Sequence, residues 1–252
     1  MAAEVDDQGF ILSIHNYCDR WCERCPFTSR CRVYAMEMTI QVDGFDGELA
    51  RAAESLPADP VEEWADEDFL AGAEDSLSEE EIEQELLARD VADAIAEVHP
   101  LTESADGLAK LAKPLIDAAE IRVTAGGSEA EASRNPLEVL ARYKHFVAVK
   151  VRRALSGRDT PPILDEDGHP FPSDADGSAR IAYLTCAAAR DAAQRLAMID
   201  PGLASLVAPF TQTADRVLAL IDEAFPGHRT FRRPGFDDPP PSTHPGVSSP
   251  PP

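Results

Sequence analysis

The sequence has little of what most function classes require. Its 252 residues contain no apolar run of eighteen or more, so no stretch reads as a membrane-spanning helix. Aromatic residues make up only 6% of the chain against 44% hydrophobic residues, so much of the apolar content is alanine. That balance favours closely packed helices over a β-sandwich. Basic residues are scarce: 23 Lys and Arg stand against 46 Asp and Glu, a formal net charge of −23. A chain this acidic repels a phosphate backbone, which argues against nucleic-acid binding. There is no Walker A loop, no dinucleotide glycine fingerprint and no Gly-x-Ser-x-Gly elbow, so no common nucleotide or hydrolase site is legible. The opening Met-Ala-Ala-Glu-Val-Asp-Asp lacks the basic and apolar regions of a secretory signal, and a cytoplasmic location is expected.

Cysteine is rare too, and its placement is the distinctive feature of the chain. Four of the five cysteines, Cys18, Cys22, Cys25 and Cys31, form a C-x3-C-x2-C-x5-C array, with His15 three residues ahead of it. In a reducing compartment such an array is expected to bind metal rather than form disulfides. Thiolate is the ligand that zinc and iron–sulfur clusters select. Arg20, Arg24, Arg30 and Arg32 lie among the cysteines, where their charge is expected to stabilise a negative thiolate centre and lower the thiol pKa values. Trp21 and Phe27 are expected to form a small shielding core around the site.

Two kinds of centre fit the spacing. Three cysteines crowded into one run, with Cys25-Pro26 at the end, match a ferredoxin-type segment. If residues 18–22 are helical, the first two sulfurs start from Cβ atoms about 5–6 Å apart, a gap suited to the corners of a cube. Alternatively, His15-x2-Cys18 and Cys22-x2-Cys25 make two knuckle-like pairs for a Cys3His zinc site. The expected cofactor is therefore an iron–sulfur cluster or Zn2+. The C-x3-C-x2-C spacing of Cys18, Cys22 and Cys25 also resembles the cluster motif of radical-SAM enzymes, over eight residues. That resemblance would imply a βα-barrel, but Arg24 stands where the family usually has an aromatic. No glycine-rich SAM-binding stretch follows, so the reading is set aside.

The remainder is expected to be mainly α: a helical bundle with an N-terminal Cys-rich metal-binding segment. Residues 1–46 form that segment, with a short strand or lead-in at Phe10 to Ile14 and a short helix after Cys31. Residues 47–77 read as an acidic, weakly helical linker. Between Ala52 and Ala88 there are fourteen Asp and Glu residues and no Lys or Arg, which suits a solvated segment or a surface that recruits a protein partner. Residues 78–233 carry the antiparallel bundle. Ser78-x-x-Glu81 is a capping box, and His99-Pro100 is expected to end its helix. Further helices are expected over about 108–123, 136–155, 177–199 and 203–225, with Asp176 a cap. The 136–155 helix is basic, and pairing with the 52–88 acids is expected. Tyr143 and His145 on it could serve a pocket, but no motif supports an enzyme there. Cys186, among alanines, reads as a small buried hydrophobe. The Pro/Ser-rich tail, 234–252, is expected to be disordered.

Overall fold

A computed structural model describes residues 4–40, 78–126, 128–161 and 173–237. The chain divides into two compact units: Met1–Phe45 with Arg232–Pro252, and Asp46–Phe231. The fold is mainly α, with no strand among the described residues beyond an isolated antiparallel bridge from Val5 to Ile11. The linker of 47–77, most of the loop at 158–177 and the tail beyond 237 lie outside the described residues.

In the larger unit the helices are α1 (Glu79–Glu97), α2 (Pro100–Ala125), α3 (Ser128–Tyr143), α4 (Phe146–Ser156), α5 (Asp174–Ile199) and α6 (Ala204–Ala224). The capping box at the start of α1 forms as the sequence indicates: the Ser78 hydroxyl accepts from the Glu81 N–H, and the Glu81 carboxylate accepts from the Ser78 N–H at 2.7 Å. His99-Pro100 closes α1 and also opens α2. The His99 Nδ1 accepts from the Leu101 N–H at 3.1 Å, and Pro100, whose missing N–H costs nothing in a first turn, takes the first helical position. Hence α2 begins about eight residues before the expected start, and Pro114 lies inside it. Ser173, three residues ahead of Asp176, caps α5 by accepting from the Asp176 N–H.

The expected 136–155 helix is two helices. Pro136 sits inside α3 with its ring buried, and the helical run is interrupted at Lys144-His145 before α4 begins. Its apolar stripe is largely internal all the same: Leu140, Val147, Val151 and Leu155 are buried.

At the centre of the unit, α5 packs against α3, α4 and α6, while α2 packs against α3, α4 and α6. The alanine content has its use here. Ala179, Ala182, Ala189, Ala192 and Ala193 are buried on α5, and small side chains let neighbouring helices approach closely. Bulk comes from a few residues, chiefly Phe210, Leu108, Leu115, Leu196 and Ile221. Cys186 is fully buried, its S–H directed at the Ala214 carbonyl at 3.7 Å, and burial pushes its thiol up to about 12. It is a core hydrophobe, as its alanine surroundings suggested.

Ion pairs tie the helices together at the surface. Arg152 on α4 bonds Glu97 of α1 at 2.7 Å and Asp106 of α2 at 2.6 Å. Arg153 bonds Asp174 of α5 at 2.9 Å. Among the described residues, Arg152 and Arg153 of the basic helix thus pair with acids at 97, 106 and 174, while residues 52–77 of the expected 52–88 stretch lie outside the described residues. The buried Lys150 places its ammonium 5.7 Å from the Phe146 ring centre.

Candidate metal centre

The smaller unit is built from tight turns. The Asp6 carboxylate accepts from the N–H groups of Gln8 and Phe10 at 2.9 Å each, which folds the chain back so that Val5 meets Ile11. Ser13 takes a left-handed conformation at φ 57 and starts a 3-10 turn, Ile14–Tyr17. Two more follow, Cys22–Arg24 and Thr28–Arg30, each closed by the N–H of the next cysteine: Cys25 to Cys22 O at 3.2 Å, Cys31 to Thr28 O at 3.3 Å. Residues 32–40 are helical, and the Cys31 carbonyl accepts from the Ala35 N–H in their first turn.

This succession of turns brings the array together. Cys18, Cys22, Cys25 and Cys31 all line one cavity of about 20 Å³, above the ~10–15 Å³ that a single water occupies. Its walls are almost wholly apolar, and His15, Ile14, Tyr34 and Phe236 share them. All four thiols are half-buried. They face a common space, but among the described residues no three His, Cys, Asp or Glu side chains are grouped closely enough to hold one metal ion. Cys18 is held in place by donating to the His15 carbonyl at 3.4 Å.

The electrostatics differ from expectation. Burial pushes the Cys18 thiol up, against the backbone N–H and charge of Arg20, which pull it down. Burial also pushes Cys22 up, assisted by the neighbouring Cys18, Glu37, Cys25 and Cys31. Desolvation outweighs the arginines because these are engaged elsewhere. Arg32 bonds Asp6 at 2.8 Å, Arg20 pairs with Glu37 at 3.5 Å, and Arg24 stacks over Trp21 at 4.0 Å. In the metal-free protein Cys18 and Cys22 are therefore neutral thiols, and any metal would have to displace their protons.

The shielding residues also differ. Neither Trp21 nor Phe27 lines the cavity; Ile14, Tyr34 and Phe236 do. Phe236 arrives from the far end of the chain and packs edge to face on Phe27, with ring centres 5.0 Å apart. Next to it, Gly235 takes φ +78 and lies so close to Ile11 and Ile14 that an added Cβ would stand 3.0 Å from both Cδ1 atoms. Arg233 and Asp237 close this strap with a pair at 2.8 Å. Residues 234–237 are thus part of the site, though their composition reads as disordered tail. Tyr34 lies in the short helix expected after Cys31, whereas nothing local in the sequence points to Phe236.

The larger unit holds a cavity of about 210 Å³ lined by Arg122, Asp200 and Ser133. Its two charged groups pair with each other. Tyr143 and His145 line neither cavity. No described helix is long and apolar enough to cross a membrane. No family model, curated protein or solved structure matches this chain.

Proposed function

We propose that residues 1–46 form a metal-binding module in which Cys18, Cys22, Cys25 and Cys31 hold an iron–sulfur cluster, giving the protein a redox or electron-transfer role. The observation that carries this reading is the shared cavity: all four thiols of the array line one apolar-walled space. Among the described residues no three of these side chains are grouped closely enough to hold a metal ion, so binding a centre would require the thiols to draw together and the cavity to open. A bound cluster would supply one-electron transfer. The chain's own part is to provide four thiolates and, through Ile14, Tyr34 and Phe236, to limit water around them. Because the cysteines are only half-buried, a centre held by them would be within reach of an electron partner from solvent.

Purified without oxygen, the protein should be brown, with visible charge-transfer absorption. Cys22→Ser should lose that absorption and Cys186→Ser should keep it. A colourless protein carrying stoichiometric zinc would end the proposal.

One observation favours a second reading. His15 stands on the same cavity wall as the four thiols, so Zn2+ held by cysteines and His15 would make the module structural. The protein would then be a non-catalytic interaction protein whose acidic region recruits a partner. The same metal analysis separates the two.

A further inference from the structure

We infer that α1 is a docking surface for a basic amphipathic helix of a partner protein. Its large aliphatic side chains point outward: Leu87 is 64% exposed, Val91 52%, Ile95 54% and Val98 81%. Spaced four, four and three residues apart, they fall on one helical face, a stripe about 17 Å long. On the inner side the helix offers alanine, and Ala96 is the one fully buried residue described in it. A surface helix ordinarily turns its aliphatic face to the core; here these aliphatic side chains stand in water beside the acids. A contiguous exposed apolar stripe on an otherwise packed unit is the mark of an interaction site.

Charge identifies the occupant. The helix carries eight acids and a single arginine, and Glu83 and Asp90, seven residues apart, run alongside the stripe. A second copy would set two such acidic helices against each other. Residues 52–77 of the same chain are no better suited, with nine acids and no Lys or Arg. An anionic lipid surface is repelled for the same reason. A helix with an apolar stripe flanked by Lys or Arg complements both features at once. This inference rests on α1 alone and is independent of the metal centre.

The test uses the full chain and two synthetic amphipathic helical peptides with the same leucine face, one flanked by lysine and the other by glutamate. Fluorescence anisotropy at physiological salt should show binding of the lysine peptide only. Leu87→Ala with Ile95→Ala leaves every charge and the helix propensity in place, and should weaken that binding at least about tenfold. Glu83→Lys with Asp90→Lys should weaken it as well and flatten its salt dependence. Failure of the lysine peptide to bind the wild-type chain overturns the inference. Equal binding to the double-alanine variant also overturns it, since attraction would then be to the acidic chain at large. So does sedimentation showing a wild-type dimer that the double-alanine variant cannot form.

Discussion

Gly235→Ala is the sharpest perturbation of the strap that closes the cysteine cavity. The residue sits at φ +78, a conformation that costs an L-residue about 1–2 kcal/mol. The new Cβ would also stand 3.0 Å from the Cδ1 atoms of Ile11 and Ile14. Both are flexible side-chain ends, so their retreat adds about 0.5–1 kcal/mol of off-rotamer strain rather than a rigid clash. The sum, about 2 kcal/mol, should raise the population of strap-open molecules roughly thirtyfold. Phe236 leaves with the strap, so alkylation of Cys18, Cys22, Cys25 and Cys31 in the metal-free protein should accelerate by a comparable factor, read by mass spectrometry. Gly107→Ala is the matched control. Gly107 lies inside α2 with nothing near an added Cβ, so that change should stabilise by about 0.5–1 kcal/mol and leave the labelling rates alone. Unchanged labelling in Gly235→Ala would refute the role given to the strap.

Other outcomes follow from the packing and the charges. Phe210→Ala empties the largest fully buried side-chain site and should cost about 3–5 kcal/mol in urea unfolding. Ser78→Ala removes the hydroxyl that accepts from the Glu81 N–H, leaving the backbone bond to the Glu81 carboxylate, and should cost α1 about 1 kcal/mol, visible as faster amide exchange over its first turns. Burial alone would raise the Asp222 pKa, but hydrogen bonds from Arg229 at 2.6 Å and His228 at 2.8 Å outweigh it and hold the carboxyl below its ordinary value. A depressed carboxyl contributes stability above its unfolded pKa near ~3.9 and loses it as pH falls through the folded value. Wild-type protein should therefore lose more stability than Asp222→Asn between roughly pH 5 and 3, and parallel acid profiles would refute the pairing.

How much of this was legible in the sequence depends on how local each signal is. The Ser78 cap and the helical composition are local, and both are found in the structure. The cysteine array is local as well, and its four residues line one cavity without three of them grouping closely enough to hold a metal ion. Boundaries failed where one residue had two possible roles: Pro100 reads as a stop but starts α2, and Pro136 reads as a start but lies within α3. The aliphatic residues of α1 have helical spacing, yet spacing cannot say whether a face meets a neighbour or water. Phe236 was illegible for a different reason. Its surroundings are Pro-rich and its partners, Phe27 and the cavity, lie some two hundred residues away in the chain. For Cys18 and Cys22 the expected lowering is replaced by a rise from burial: sequence proximity put four arginines beside the cysteines, while the fold gives them contacts with Asp6, Glu37, Trp21 and the Gly9 carbonyl.

The most direct test of the central claim is elemental: iron, zinc and acid-labile sulfide measured together on the full chain purified without oxygen, beside Cys22→Ser. Iron and sulfide in equal amounts in the wild type, both lost in the variant, are what the cysteine cavity predicts. Zinc alone, or no metal in either protein, would contradict it.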